Sequence, residues 1–264
     1  MASVPPAQPL PILYNELSPL SSTEHGAYKL QRSDVAPFLS KVHAVPVTID
    51  EFIMTQRCMP IVFSGGEHTV PLALMGLNDG ANVFVTDEGG LAEKNIYMPA
   101  YIRRYPFMLA RLQADSQEMS LCFDPTSDVI GEFDEGEPLF DAGQPTDTTK
   151  GLLDFCEQFE TAGQRTGAFV EELVKADLLM DGEVSIQPDD ADKPYIYRGF
   201  KMVDEKKLKE LRGDTARKFI QNGILPLVYA HLMSLSLMRD VFARQVAQGK
   251  MPPQPADQQP VTVN

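Results

Sequence analysis

Two adjacent arginines between tyrosines form the group of side chains in this sequence that most suggests ligand binding. Arg103 and Arg104 lie between Tyr101 and Tyr105, and Tyr97 comes four residues before Tyr101. A guanidinium group can bind a carboxylate or a phosphate with two hydrogen bonds, and aromatic rings can stack on a bound group. On a helix the three tyrosines would share one face. The two arginines would point about 100° apart, so that either could instead form an ordinary ion pair.

A second candidate group follows a predicted strand, where Glu67 and His68 come after two glycines. Glycine permits close approach of the backbone to a ligand, and Glu67 or His68 could act as a base or as a metal ligand. The segment matches neither the dinucleotide-binding nor the P-loop pattern, so a plain glycine turn is the alternative. His231 lies in an apolar run and could join this chemistry, although such a histidine is more often hydrogen-bonded within the core.

The remaining sequence offers no pattern for catalysis or for metal binding. It contains no H-E-x-x-H, no G-x-S-x-G and no EF-hand loop, although residues 124–147 are acidic. The three cysteines form no C-x-x-C pair, which is typical of free thiols in a reducing compartment. We therefore expect no catalytic residue, no metal and no cofactor. These cysteines are Cys58, Cys122 and Cys156.

Charge and apolar patterning restrict the partners. The net charge of -14 and the pI of about 4.7 produce a field that repels phosphate backbones, so nucleic acid is an unfavourable partner. The longest apolar run, Ile224–Met238, has 15 residues, fewer than the roughly 18 to 20 that cross a bilayer, and predicts a core helix without membrane insertion. Met1–Leu20 contains five prolines and no basic stretch, which argues against a Sec signal peptide and favours the cytoplasm.

The order of apolar patterns predicts an α+β fold with a β-rich N-terminal half, an antiparallel meander, packed with a mainly helical C-terminal half that ends in a long buried helix. We expect a Pro-rich lead over residues 1–27, a single domain over 28–250 and a disordered tail over 251–264. Predicted strands are 43–49, 59–64, 82–86, 119–123, 183–187 and 195–202, with turns at 79–80 and 88–90.

Helical periodicity follows in three places. A helix over 97–114 is expected to kink or break at Pro106. A long helix, or two with a break near 163–167, starts near Leu152, and a final helix covers 224–248. Asp204 and Asp214 are expected to act as N-caps, and residues 124–149 should be mostly loop.

Four stretches of this sequence resemble the bacterial SapC-like family, and the most specific is Tyr-Ile-Arg-Arg-Tyr-Pro-Phe at 101–107. A Gly-Phe-Lys-Met-Val-Asp segment at 199–204 and Leu139-Phe140-Asp141 are similar to family features too, so that the resemblance spans about Val42 to Arg239. Leu91 stands where family members often have tryptophan. The other three stretches are Met-Pro-Ile-Val-Phe at 59–63, Leu-Asn-Asp-Gly-Ala-Asn-Val-Phe-Val at 77–85 and Tyr-Ala-His-Leu-Met-Ser-Leu at 229–235.

The resemblance implies an accessory role beside flavin-dependent tryptophan-halogenase-like proteins, cupin-like proteins and outer-membrane receptors. Our preferred hypothesis is a non-catalytic accessory or binding protein that recognises a protein or peptide through Tyr97, Tyr101 and Tyr105 and the two arginines. One alternative is an oxidoreductase or hydrolase that uses Glu67, His68 and His231. A second alternative, a surface-layer protein, comes from the family name. Formation of a homo-oligomer is left open.

Overall fold

The structure, a computed structural model, describes residues 10–66, 68–112, 118–188 and 194–250. It divides into two compact units that are each discontinuous in sequence. The first unit takes the described residues up to Ser33 together with Arg104–Glu160, and the second takes Asp34–Arg103 together with the described residues from Thr161 onward. The single domain over 28–250 stays a prediction, and the proposed tail over 251–264 lies outside the described residues.

Fifteen short strands are present in the described part of the chain. In order they are β1 (Ser18–Pro19), β2 (Lys29–Leu30), β3 (Ala44–Pro46), β4 (Ile61–Ser64), β5 (Pro71–Leu74), β6 (Phe107–Ala110), β7 (Ser120–Phe123), β8 (Ile130–Gly131), β9 (Glu137–Pro138), β10 (Phe140–Asp141), β11 (Gln144–Pro145), β12 (Leu179–Asp181), β13 (Val184–Ile186), β14 (Tyr195–Tyr197) and β15 (Phe200–Val203).

Seven α-helices and three 3-10 turns complete the described elements. The 3-10 turns are Pro37–Leu39, Ile49–Glu51 and Leu235–Leu237. The helices are α1 (Phe52–Thr55), α2 (Ala100–Arg103), α3 (Asp147–Lys175), α4 (Glu205–Lys209), α5 (Gly213–Gln221), α6 (Ile224–Ser234) and α7 (Met238–Ala247).

The first unit is built from small antiparallel sheets around one apolar cluster. Strands β1, β7 and β6 form one sheet, β8, β2 and β9 form another, and β10 pairs with β11. Phe107, Phe123 and Leu139 are fully or almost fully buried in the cluster, and Cys156 joins them from α3. The hydroxyl of Tyr14 donates to the carbonyl of Phe107 at 2.7 Å, which ties the N-terminal segment to β6.

The second unit contains a five-stranded antiparallel sheet in the order β12, β15, β4, β5, β3. Every residue of β4 and β5 is buried, which is why both strands read as continuous apolar runs and not as alternating patterns. Strand β4 therefore lies at the centre of the sheet, between its hairpin partner β5 and the much later β15. Strands β13 and β14 form a separate hairpin.

The predicted α+β class is confirmed, with antiparallel sheets in the N-terminal half and a helical stretch from Ile224 to Ala247. Helix α3 is a single helix of 29 residues, despite glycines at 163 and 167. The strands near 43–49, 59–64 and 119–123 are present, and so is the β13–β14 hairpin. Asp204 caps α4, since its carboxylate accepts from the amides of Lys206 and Lys207.

The helix predicted over 97–114 is wrong. Only Ala100–Arg103 is helical, and Phe107–Ala110 forms strand β6 against β7. Pro106 has no amide hydrogen to continue a helix, and the apolar residues after it match the pleat of a strand that buries alternate side chains. The three tyrosines therefore do not share a helical face.

Three smaller predictions are also wrong. Residues 82–86 form only an isolated bridge between Val85 and Leu91, although the turns at 79–80 and 88–90 are present. The strand order is not a meander, because β3 pairs with β5 and skips β4. Asp214 lies within the first turn of α5 and not at its N-cap, which is Arg212.

Two glycines in the second unit should respond oppositely to alanine. A Cβ at Gly76 would meet the backbone carbonyl oxygen of Ala81 at 1.9 Å, whereas a Cβ at Gly163 in α3 meets nothing within 4 Å. We expect Gly76→Ala to lower the free energy of unfolding by about 2 kcal/mol or more, because the backbone must shift. We expect Gly163→Ala to raise it by about 0.5–1 kcal/mol. Urea unfolding of the two variants measures both, and equal stabilities would contradict the packing at Gly76.

Candidate functional site

A buried carboxylate positions the segment that carries Tyr97 and Arg103. Glu51 is 5% exposed and accepts hydrogen bonds from the amide and hydroxyl of Thr48, from the hydroxyl of Tyr97 at 2.8 Å and from the amide of Ala100 at 2.5 Å. These donors compensate the desolvation of the carboxylate. Glu51 therefore holds the start of α2 and the phenol of Tyr97 against the end of the preceding 3-10 turn.

The guanidinium of Arg103 is exposed but held in place. Its Nε donates to the carbonyl of Met98 at 3.0 Å, and one terminal nitrogen donates to the hydroxyl of Tyr97 at 3.4 Å. Its carbon lies 5.8 Å from the centre of the Tyr97 ring, within the range of a cation–π contact. Burial and the neighbouring carboxylate of Glu51 raise the pKa of Tyr97 to about 12, so its phenol stays protonated and keeps donating a hydrogen bond to Glu51.

Arg104 and Tyr105 belong to the first unit and contact residues there. Arg104 is 5% exposed, lies 3.3 Å from the carboxylate of Glu160 and stacks over the ring of Phe159 at 4.2 Å. Tyr105 packs edge-on against Tyr14. Burial, followed by nearby carboxylates, raises its pKa. The neighbouring arginines thus have different surroundings: Arg104 is packed in its unit, whereas Arg103 is presented to solvent.

Tyr101, the central tyrosine of the predicted face, is 4% exposed in the second unit. Its side chain is therefore not offered to a partner. Of the five residues in the predicted recognition group, the structure brings together Tyr97 and Arg103, whereas Tyr101 is buried in the same unit.

His231 is fully buried on α6, and both of its ring nitrogens contact backbone. Nε2 accepts from the amide of Val203 at 3.1 Å, and Nδ1 lies 2.8 Å from the carbonyl of Ile61. An accepting Nε2 leaves the proton on Nδ1, where it is donated to Ile61. The ring also lies 4.9 Å from that of Phe63. Burial lowers the pKa of His231 to about 4, so the imidazole is neutral at pH 7.

The glycine turn before His68 closes the hairpin between β4 and β5. The hydroxyl of Ser64 donates to the carbonyl of His68 at 3.1 Å and accepts from the amide of Val70 at 2.9 Å. His68 is exposed, whereas His231 is buried, so the two imidazoles do not offer a common accessible pair. Glu67 lies outside the described residues.

Glu51 is the main residue that the sequence analysis missed. Its signal was present, because Thr48-Ile49-Asp50-Glu51 fits the T-x-x-E capping box, in which the side chains at both ends satisfy free backbone amides. Only the fold could show that the same carboxylate also accepts from Tyr97 and Ala100, which follow it by more than forty residues.

No group of three or more His, Cys, Asp and Glu side chains suited to a metal occurs in residues 10–66, 68–112, 118–188 and 194–250. The stretch Ile224–Ala247 is long and apolar enough to cross a bilayer by length and composition, a test that core helices also pass. In this chain the stretch carries three buried polar side chains: His231, Ser234 and Gln245.

Comparison with known proteins gives one match. A family model described as SapC matches residues 20–241. No curated protein and no solved structure matches the chain.

Removal of the His231 imidazole should destabilise the second unit. We expect His231→Ala to cost about 3 kcal/mol or more, because it leaves the amide of Val203 and the carbonyl of Ile61 without partners and opens a cavity. His231→Gln should cost less, since its amide keeps one donor and one acceptor. Urea unfolding at pH 7 measures both, and a loss below about 1 kcal/mol in the alanine variant would contradict this role.

Stability should also fall at acidic pH because of the same group. A folded-state pKa of about 4, below the ordinary 6.5, means that the unfolded state binds the proton more tightly. The stability that comes from the neutral imidazole of His231 is complete above about pH 6.5. It is lost as the pH falls towards 4, where the free energy of unfolding is lower by about 3 kcal/mol in total. Burial also lowers the pKa of His43, which therefore adds to the pH dependence of stability. To isolate His231, the test compares the free energies of unfolding of the native protein and of His231→Gln from pH 4 to 7. Parallel curves would refute the assignment to His231.

Proposed function

This chain belongs to the SapC family, whose model matches residues 20–241, and we propose that it is a non-catalytic accessory protein that binds a protein or peptide partner. The exposed guanidinium of Arg103 and the ring of Tyr97 form the centre of the proposed contact surface. The observation that carries the proposal is that Arg103 is exposed to solvent yet held by contacts with Met98 and Tyr97.

A fixed surface arginine is suited to recognition for an entropic reason. An arginine side chain normally loses about 2 kcal/mol of rotamer freedom when a partner immobilises it. Here the contacts with Met98 and Tyr97 already restrict the side chain, and Glu51 fixes Tyr97 in turn. Part of the ordering cost has therefore been met before binding. Arginine and tyrosine are also the residue types that most often dominate binding energy at protein interfaces.

The chemistry of the surface suggests what the partner presents. A guanidinium donates hydrogen bonds to a carboxylate or a backbone carbonyl, and the ring of Tyr97 adds an aromatic face. With a net charge of -14 on the whole chain, a strongly acidic partner would be repelled at long range. A partner that is neutral or basic overall and offers one carboxylate or carbonyl group to Arg103 fits both conditions.

The state of His231 supports a non-catalytic role over the alternative enzyme. Both of its ring nitrogens are engaged by backbone groups, and its side chain has no exposed surface, so it offers no proton to a substrate. His68 is exposed in a hairpin turn in which Gly66 has a φ of +88°, a conformation that favours glycine without any ligand. A cytoplasmic location and an accessory role beside halogenase-like or receptor systems remain parts of the proposal.

The test uses the purified chain of 264 residues as bait in an extract of its native host, with the captured partner identified and quantified by mass spectrometry. Arg103→Ala should reduce recovery of that partner about tenfold, the effect of a truncated arginine worth about 1.4 kcal/mol. Arg103→Lys should restore it only in part, because an ammonium cannot form the planar two-point contact.

Arg198→Ala provides the matched control, since it removes an exposed arginine of the same unit that pairs with Glu183. Recovery should match that of the native protein. Equal recovery by the native chain and by Arg103→Ala would overturn the proposed surface. Arg104 is unsuited to this test because its burial against Phe159 and Glu160 would confound binding with stability.

A further inference from the structure

The second unit contains a cleft of about 340 Å³ that the sequence analysis did not find. Four parts of the unit form its walls: the residues after α1, Phe84, the irregular segment 93–96 and the region around α7. Its lining includes three basic side chains, Arg57, Lys94 and Arg244, together with the thiol of Cys58. The volume is within the range of sites that hold small metabolites.

The charges of the cleft contrast with those of the whole protein. Arg57, Lys94 and Arg244 face two carboxylates, Glu93 and Asp240, so the lining has a net charge of +1 in a chain of net charge -14. Arg244 is already engaged, because it lies 2.6 Å from Glu93 and 5.4 Å from the centre of the Phe84 ring. Arg57 and Lys94 form no salt bridge with any described residue, and this leaves two cations to bind an anion.

The walls of the cleft are held by polar contacts between protein groups, so its shape does not depend on a ligand. The side chain of Gln245, fully buried on α7, accepts from the amide of Leu77 at 2.7 Å. Gln248 and Lys250, which follow α7, donate to the carbonyls of Val83 and Asn82. These bonds fix the irregular segment that carries Phe84 on one wall to the helix that carries Arg244 on the other.

We propose that this cleft binds a small organic oxyanion, with a carboxylate or phosphate group held by Arg57 and Lys94. The field of a chain of net charge -14 disfavours large polyanions, whereas a ligand with one or two charges fits the local excess of cations and the volume. The partly exposed side chains of Ile96 and Leu237 in the lining contact the rest of the ligand. The inference uses neither Arg103 nor Tyr97, so it stands or falls separately from the proposed partner surface.

Cys58 supplies an internal probe of the cleft. Its thiol is half-buried and lines the cleft, whereas Cys122 and Cys156 are buried in the first unit. Alkylating reagents should therefore modify Cys58 first. Iodoacetate and iodoacetamide react by the same displacement, in which the thiolate sulfur attacks the CH₂ carbon and iodide leaves. They differ by one carboxylate. The ratio of the two alkylation rates at Cys58 therefore reports how strongly the cleft attracts an oxyanion. Because both reagents react with the same thiolate, a change in the thiolate population does not alter this ratio.

The test compares that ratio in the native protein and in the Arg57→Ala/Lys94→Ala double variant, with modification at Cys58 followed by peptide mass spectrometry. The iodoacetate-to-iodoacetamide ratio should fall about fivefold in the double variant, because two nearby cations no longer attract the carboxylate. Both side chains are exposed, so the variant should fold normally. A Lys206→Ala/Lys209→Ala variant removes the same charge from α4 and should keep the native ratio. An unchanged ratio in the first variant would overturn the proposal.

The ligand group follows from protection against iodoacetamide. Succinate, inorganic phosphate and chloride are compared at equal ionic strength on the native protein. Protection by succinate alone assigns a carboxylate ligand, protection by phosphate alone assigns a phosphoryl ligand, and protection by both assigns a general oxyanion site. In each case the protection should disappear in the double variant. Protection by neither anion beyond that of chloride would overturn the proposal.

Discussion

The imidazole of His231 lies between two backbone groups that would otherwise face each other across the central sheet. Strands β15 and β4 pair at Phe200 with Ser64 and at Lys201 with Phe63, and the same register sets Val203 opposite Ile61. There the ring accepts a hydrogen bond from the amide of Val203 in β15 and donates one to the carbonyl of Ile61 in β4. Next to it, the hydroxyl of Ser234 accepts from the amide of Ile61 at 2.8 Å. Helix α6 thus completes the sheet by side-chain contacts where the strands separate.

Buried polar side chains fix the irregular segments of the second unit in the same way. Glu51 accepts a hydrogen bond from the amide of Ala100 at the start of α2, and Gln245 accepts one from the amide of Leu77 after β5. Neither amide has a partner in a regular helix or strand, so each buried side chain fixes the backbone there. The fixed position of Arg103 and the shape of the cleft depend on these contacts. Tyr97 lies in an irregular segment whose conformation is set by the buried Glu51, and variation of such loop residues can change recognition without changing the fold.

Local sequence patterns predicted strands and helices correctly where a segment matched the pattern of one kind of element only. Continuous apolar runs between turn residues marked β4, and apolar spacing of three and four marked α3. Predictions failed where two patterns competed. The tyrosines at 97, 101 and 105 have helical spacing, but the proline at 106 and the pairing of β6 with β7 produced a strand after it. Residues 82–86 have strand composition, but their hydrogen bonds go largely to side chains such as Asn82 and to residues that follow α7.

The sequence by itself determined the fold class, the family and the acidic character of the chain, because these follow from composition and from motifs of neighbouring residues. Only the tertiary structure decided that Arg103 is presented while Arg104 is buried, and that β15 joins β4. It also decided that Arg57 and Lys94 share a cleft. The physical reason is sequence separation: each of these features depends on contacts between residues tens to more than a hundred positions apart, and no local periodicity encodes which distant partner satisfies a buried polar group.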